Sequence, residues 1–260
     1  MKRILLYTIL ILPALWACED EIEVYNYSTN SLNFKFDEYM RDTTIHETMT
    51  YLSSEWQRDT VWVEVETSGF ITDYAREFCL KQVPYGEWDA KPGIHYIALD
   101  DSEVISHCVI PANGNSTQVP IIFLRDTSLM EHEYTLKLRI AENTHFATGI
   151  EAYQTRTIFI SDIIIKPETW DNAFDYWFGS YGDVKYRFMI DAAASIGTIM
   201  NKDFVGKLAA QNDIALNNYW LSFFKRKLTE ENAHRAEQGL DVLREEPTAA
   251  DPEGTIVTFD

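Results

Sequence analysis

Thr60-Val61-Trp62-Val63-Glu64-Val65-Glu66 is the stretch that decides the fold class of this chain. Apolar and polar residues alternate through it, and β-branched and aromatic side chains predominate, as they do in β-strands. The earlier stretch Ser31-Leu32-Asn33-Phe34-Lys35-Phe36 alternates in the same way. Because successive side chains of a strand point to opposite faces, each stretch predicts a strand with one apolar face.

Similar segments continue along the first two thirds of the chain. They are Glu77 to Val83, Val104 to Ile110, Gln118 to Leu124, Glu133 to Ile140 and Arg156 to Ile160. Turn-forming residues separate the segments, at Ser68-Gly69, Pro84-Tyr85-Gly86, Lys91-Pro92-Gly93 and Asn113-Gly114-Asn115. About seven short strands with few helical patterns between them predict an antiparallel, immunoglobulin-like β-sandwich over residues 31–165.

The spacing of apolar residues changes after Lys166-Pro167. Apolar residues recur every three or four positions in Tyr181 to Ile190 and in Lys202 to Lys227, which predicts helices. Thr229 is predicted to cap a further helix, and Gly239 to end it. Residues 166–260 are therefore predicted to form a mainly α-helical domain, and the fold class is α+β.

The N-terminus has the pattern of an export signal. A basic start, Met1-Lys2-Arg3, precedes an apolar run from Ile4 to Leu15, and this run is too short for a membrane span. Leu15-Trp16-Ala17-Cys18 resembles a bacterial lipoprotein signal, which implies cleavage after residue 17 and a lipid on Cys18. The alternative is an ordinary secreted protein with a cysteine near its cleavage site.

Residues 18–30 are predicted to form a tether. The acids that follow Cys18, Glu19-Asp20-Glu21, resemble the surface-export signal of Bacteroidota lipoproteins. That resemblance implies a lipid-anchored protein of the outer membrane that faces the cell exterior. The alternative for these acids is a solvated acidic linker.

Composition excludes some partners. Removal of residues 1–17 leaves 243 of the 260 residues, and 46 % of the whole chain is apolar, so a globular fold is expected. Loss of Lys2 and Arg3 takes the formal charge from −19 to −21. Such a surface repels nucleic acid and anionic headgroups, so no nucleic-acid partner is expected.

Several motifs resemble a family of uncharacterised Bacteroidota lipoproteins with a domain of unknown function. They are Asp59-Thr60-Val61, Gly93-Ile94-His95-Tyr96, Ile110-Pro111-Ala112-Asn113-Gly114, Lys166-Pro167-Glu168-Thr169-Trp170 and the run from Gly179 to Phe188. The resemblance covers nearly all of the mature chain and implies association with SusC/SusD-type importers. It brings no activity with it. The first half also resembles Calx-β and other immunoglobulin-like sandwiches.

Common sequence motifs for catalysis and metal binding are absent from the sequence. The sequence has no nucleophile elbow, phosphate loop, dinucleotide fingerprint or His-Glu-x-x-His motif, so we predict no enzyme, cofactor or metal. Loop carboxylates at Asp100-Asp101 and Asp126 are interpreted as solvated rather than as calcium ligands. Cys79 and Cys108 are either a disulfide or two separate buried thiols.

Three aromatic residues near turns, Trp56, Tyr85 and Trp88, are candidates for stacking on a ligand, and core packing is the alternative. Thr43 and Thr60 follow aspartates in a pattern that resembles the Bacteroidota O-glycosylation motif. The sequence as a whole predicts a non-catalytic surface lipoprotein, an accessory subunit of a SusC/SusD-type importer of glycans or oligopeptides. The alternative is a free-standing surface glycan-binding protein.

Overall fold

Strands occupy the first part of the described chain and helices the second. The computed structural model describes residues 30–36, 44–211 and 213–259. The predicted signal at 1–17, the lipidation residue Cys18, the tether up to residue 29 and Thr43 lie outside these residues. No helix in the described ranges is both long and apolar enough to cross a membrane.

The strands form two four-stranded sheets and one small pair. They are β1 (Ser31–Phe34), β2 (Thr44–Thr48), β3 (Arg58–Ser68), β4 (Arg76–Glu77), β5 (Cys79–Gln82), β6 (Val109–Ile110), β7 (Ser116–Leu124), β8 (Tyr134–Ala141), β9 (Ala147–Thr148) and β10 (Thr155–Ser161). One sheet has the order β7-β3-β1-β9 and the other the order β2-β10-β8-β5, while β4 pairs with β6. The long pairs are antiparallel, whereas β2 and β9 join β10 and β1 in parallel at sheet edges.

A single apolar core lies between the two large sheets. β1, β3 and β7 contribute Leu32, Phe34, Val63, Val65, Val119, Ile121 and Phe123 to it, and β5, β8 and β10 contribute Leu80, Leu136, Leu138, Ile140, Ile158 and Ile160. Along β3, β5, β8 and β10 these buried residues alternate with more exposed ones, as Val63 does with Trp62 on β3. This is the two-residue period that the sequence predicts for a strand. The predicted sandwich is therefore confirmed, although each large sheet is mixed rather than wholly antiparallel, because its edge pair is parallel.

The strand predicted from Val104 to Ile110 is wrong except at its last two residues. Asp101 accepts a hydrogen bond from the backbone N–H of Glu103 and caps a short helix, α1 (Ser102–Ile105). Only Val109 and Ile110 remain in a strand. An aspartate two residues before the N–H groups of a first turn favours a helix start over an extended chain.

The second part contains four α-helices in its described residues: α2 (Asp175–Phe178), α3 (Asp183–Ala194), α4 (Lys202–Gln211) and α5 (Ile214–Glu237). A π-helical turn, Trp170–Phe174, directly precedes α2. Thr229 lies inside α5 and donates to the carbonyl of Lys225, so the predicted cap at this residue is wrong. Gly239 follows the helix end with φ 73°, as its position predicts. The α+β class is confirmed.

The helices share a second core that is rich in aromatic rings. Its largest buried members are Trp170, Phe174, Phe178, Tyr186 and Phe224, and the C-terminal segment adds Val257 and Phe259. Tyr51, from the segment between β2 and β3, packs against this core. The helical part is thereby attached to one end of the sandwich.

The N-terminus of helix α3 is capped by the carboxylate of Glu245, which is distant in the sequence. Glu245 accepts hydrogen bonds from the backbone N–H groups of Val184 and Lys185, both at 2.9 Å. A Cβ at Gly182 would lie 2.0 Å from the Glu245 carboxylate, so this closure requires glycine. The negative charge compensates the free N–H groups and the positive end of the helix.

A buried ion-pair network joins the sandwich to the helices. The Asp162 carboxylate, which has no exposed side-chain surface, lies 2.8 Å from Arg125 Nε and 2.9 Å from Arg187 Nη2. Arg125 also donates to the carbonyls of Ser53 and Trp56 and to that of Met49. The network therefore fixes the segment between β2 and β3 as well as the ends of β7 and β10.

We expect Asp162→Asn to lower the free energy of unfolding by about 3–5 kcal/mol, because it leaves the buried guanidinium of Arg125 and the partly buried one of Arg187 without an anion. Chemical denaturation followed by circular dichroism measures the change. Glu151→Gln is the matched control, since it neutralises an exposed partner of Arg139 and should change stability little. Equal effects of the two substitutions would contradict this role for Asp162.

Candidate functional site

A groove lies where the segment between β2 and β3 meets α3 and α5. It consists of two adjoining cavities of about 590 and 610 Å³. Both cavities are lined by Ser54, Glu55, Asp191, Ser195 and Glu231. We call this feature the junction groove. It is the concave region in which the two parts of the chain both contribute side chains.

The wall of the groove that belongs to the sandwich is fixed by hydrogen bonds to its main chain. The N–H of Ser54 donates to Asp191 Oδ1 at 2.7 Å, and the Ser54 hydroxyl donates to the other carboxylate oxygen of Asp191. Gln57 Nε2 donates to the carbonyl of Ser54 at 2.8 Å. Because these bonds and those of Arg125 engage the main chain, the side chains of Glu55 and Trp56 are left to face solvent.

One side of the groove is apolar. Trp56 is 59 % exposed and Ile199 is 60 % exposed, although both line the larger cavity. Tyr51 is half-buried beside them, and burial raises the pKa of its phenol. An exposed indole beside a cavity offers a broad rigid face that loses little conformational entropy when a ligand covers it.

The groove also carries polar groups in several states of pairing. Lys227 lies 3.0 Å from Glu230, and Glu231 lies 3.9 Å from Arg235. Glu55 is exposed and has no side-chain hydrogen bond to the residues that the structure describes. Carboxylates of this kind accept hydrogen bonds from hydroxyl or ammonium groups of a ligand.

The other two stacking candidates lie outside the groove. Tyr85 contacts Phe159 edge-on, with ring centroids 5.7 Å apart, and the Lys137 ammonium lies 5.8 Å from its centroid. Trp88 stacks on His132 with a centroid distance of 3.9 Å. The structure thus places Trp56 apart from Tyr85 and Trp88, whose rings are partly covered by neighbours.

The remaining predicted residues are also dispersed. Cys79 is exposed and Cys108 is buried, and the structure contains both as free thiols in the lining of one cavity of about 540 Å³. Burial, with a smaller contribution from nearby Cys79, raises the pKa of Cys108 to about 12.

Thr60 lies on β3 with an exposed side chain. No three His, Cys, Asp or Glu side chains in the described ranges converge as metal ligands.

A hydrogen-bonded cluster of Ser128, His95 and Asp126 has the composition of a catalytic triad, but its hydrogen bonds are those of a structural cluster. The N–H of Lys91 donates to His95 Nδ1 at 3.1 Å, so the proton of the neutral imidazole is on Nε2. That nitrogen lies 2.9 Å from the Ser128 hydroxyl, which donates to Asp126 Oδ1 at 2.6 Å. A nucleophilic serine needs an unprotonated imidazole nitrogen as its base, and this cluster offers none.

His95 should make stability depend on pH. Burial lowers the pKa of His95, so the unfolded chain binds a proton at higher pH than the folded one. The free energy of unfolding should therefore fall as pH decreases below about 6.5, the usual histidine pKa. His95→Gln should give a shallower decline between pH 7 and pH 5 in denaturant titrations.

His145→Gln serves as the control for this measurement, since it removes an exposed imidazole without touching the cluster. Parallel stability curves for the wild type and His95→Gln would show that the lowered pKa has no energetic consequence.

Sequence comparison assigns the chain to a family. A family model described as "Domain of unknown function (DUF4843)" matches residues 4–195, which is well over half of the chain. The chain belongs to the DUF4843 family. The DUF4843 match includes the segment between β2 and β3 and all of α3, whereas α4 and α5 lie beyond it. The resemblance to a family of unknown function is thereby confirmed.

Solved structures with partial likeness come from Bacteroides. A putative carbohydrate-binding protein of Bacteroides ovatus is 12 % identical, with a TM-score of 0.31 and coverage of 52 % of this chain and 37 % of the other. A B. ovatus protein of unknown function is 18 % identical, with a TM-score of 0.35 and coverage of 50 % and 43 %.

A two-domain protein of unknown function from Bacteroides fragilis is 10 % identical, with a TM-score of 0.32 and coverage of 51 % and 45 %. This DUF4843 chain thus spans less than half the length of each of the three structures. Likeness at these scores carries no functional conclusion. No curated protein matches the chain.

Proposed function

We propose that this DUF4843 protein is a non-catalytic, lipid-anchored glycan-binding protein of the cell surface, and that the junction groove binds the glycan. The observation that carries the proposal is the exposed indole of Trp56 in a cavity that is also lined by the carboxylates of Glu55 and Glu231. The proposed location at the cell surface rests on the lipoprotein signal pattern that ends at Cys18.

The chemistry of the groove suits a sugar ring. The C–H face of a pyranose stacks on an indole, and the hydroxyl groups at its edge need hydrogen-bond acceptors. Trp56 supplies the stacking surface, while Glu55 and Glu231 supply acceptors in the same cavity. Each cavity also falls within the size of typical small-molecule sites, about 300–1,000 Å³.

The proposal concerns binding without a chemical step. Asp191 is engaged by both the backbone and the hydroxyl of Ser54, and Glu230 is paired with Lys227. These carboxylates therefore shape the groove and orient its walls. Glu55 has no side-chain partner among the described residues, and Glu231 has only the long 3.9 Å pair with Arg235, so these two acidic side chains are the ones left to meet the ligand.

Trp56→Ala should weaken glycan binding at least tenfold, because it removes the stacking face and leaves the backbone anchors of the segment intact. Affinity electrophoresis against a panel of neutral and acidic polysaccharides would identify a ligand, and calorimetry would measure the dissociation constant. Glu55→Gln should also weaken binding, though by less.

The double variant Tyr85→Ala/Trp88→Ala is the matched control, since it deletes two exposed rings outside the groove. Its affinity should stay within twofold of the wild type. If this variant loses binding while Trp56→Ala retains it, the site lies on the sandwich and the groove assignment is wrong.

A second candidate function is that of an accessory subunit of a SusC/SusD-type nutrient importer. The helical part favours it, because Tyr176 is 83 % exposed, Ile214 is 65 % exposed and Tyr219 is 54 % exposed. Apolar side chains of this size at a surface are typical of protein interfaces.

A tag placed after Asp260 would test this candidate. Extraction of outer membranes in mild detergent should co-purify an importer barrel and its lid lipoprotein in near-stoichiometric amounts. Tyr176→Asp/Ile214→Asp should reduce that recovery, whereas Trp56→Ala should not. Recovery of the protein alone at several detergent strengths would contradict the accessory-subunit function.

A further inference from the structure

The sandwich has two ends, and the junction groove occupies only one of them. Strand β3 runs the whole distance, with Arg58 paired to Leu124 beside the groove and Ser68 paired to Ser31 at the far end. Its 11 residues span about 35 Å at the rise of an extended chain. The end that contains Ser31 and Ser68 is therefore remote from the proposed ligand.

This remote end displays an apolar loop. Phe70, Ile71 and Tyr74, between β3 and β4, are 62 %, 60 % and 54 % exposed. We call these three residues the apical loop residues. A fourth exposed apolar side chain, Ile150, is nearby, since its N–H donates to Asn33 near the start of β1.

The backbone of the loop is held by hydrogen bonds, while its apolar side chains remain largely exposed, with only the Tyr74 ring in contact with that of His145. The N–H of Phe70 donates to Asn30 Oδ1 at 2.8 Å, and Arg76 Nη1 lies 3.4 Å from the carbonyl of Phe70. The carbonyl of Thr72 accepts from the N–H of Asn113 at 2.7 Å. A loop fixed in this way presents apolar side chains to a partner without an ordering cost for the main chain.

The chain enters the fold at the same end. Asn30, which binds Phe70, is 12 residues beyond Cys18, the predicted lipidated residue. Even a fully extended chain of that length reaches at most about 40 Å. A lipid on Cys18 would therefore hold the end of the sandwich that carries the apical loop residues within about 40 Å of the bilayer.

We propose that Phe70, Ile71 and Tyr74 enter the interfacial region of the membrane lipid and orient the protein with its junction groove facing away. The inference rests on the lipid anchor of the proposed function. Aromatic side chains favour this region of a bilayer, and an acyl anchor is strengthened by a second membrane contact. Asp73, the acid between Ile71 and Tyr74, is exposed and would remain among hydrated headgroups.

Photo-crosslinking tests the contact. A chain with a hexahistidine tag in place of residues 1–18 keeps every described residue and binds vesicles of phosphatidylcholine with nickel-chelating lipid. Ile71→p-benzoylphenylalanine should give at least tenfold more lipid adduct than Ile199→p-benzoylphenylalanine, its matched control with the same 60 % exposure in the groove. Mass spectrometry counts the adducts.

Adding Phe70→Asp to the Ile71 crosslinking variant should lower the lipid adducts at least threefold. Equal lipid yields at positions 71 and 199 would overturn the proposal. Adducts between two protein chains, in place of lipid adducts at position 71, would also overturn it and assign the loop to a second copy of the chain.

The anchor itself is checked separately by the mass of the N-terminal peptide of the protein purified from cells. An unmodified Cys18 would refute the lipid anchor, whereas the vesicle experiment, which uses the tag, reports only on the loop. The two failures are thus distinguishable.

Discussion

The Asp162 carboxylate between Arg125 and Arg187 is the interaction on which the rest of the structure depends. Arg125 follows β7, Asp162 follows β10 and Arg187 lies on α3, so a single buried anion joins both sheets to the helices. A buried charge is tolerated only when its partners are close and well oriented. The relative placement of the two parts is therefore restricted to geometries that keep both arginines on this carboxylate.

The same network explains why the groove has an exposed tryptophan. Arg125 satisfies carbonyls of the segment between β2 and β3, including that of Trp56, and Arg187 binds the carbonyl of Thr50 at 2.5 Å. Because its backbone is anchored, the segment does not need to bury the indole. The apical loop follows the same rule at the other end, where Asn30 fixes the backbone at Phe70 and the ring stays exposed.

The sandwich separates these two exposed features. Its continuous core makes β3 and β7 a rigid spacer between the N-terminal end and the junction groove. For a protein anchored near its N-terminus, such a spacer holds a ligand site away from the membrane surface. The helices contribute one wall of the junction groove and also carry the exposed side chains of Tyr176 and Ile214.

The sequence by itself determined the class of the long strands and helices. Alternation in Thr60 to Glu66 predicted a strand, and the three- and four-residue spacing after Lys166 predicted helices, because both patterns reflect local geometry. It also singled out Trp56. The helix at Val104 follows from the local cap at Asp101, which hydrophobic periodicity alone does not reveal. Only the tertiary structure brought Asp191 and Glu231 to Trp56 and separated it from Tyr85 and Trp88. These outcomes depend on ion pairs and hydrogen bonds between residues that are far apart in the sequence, which hydrophobic periodicity does not encode.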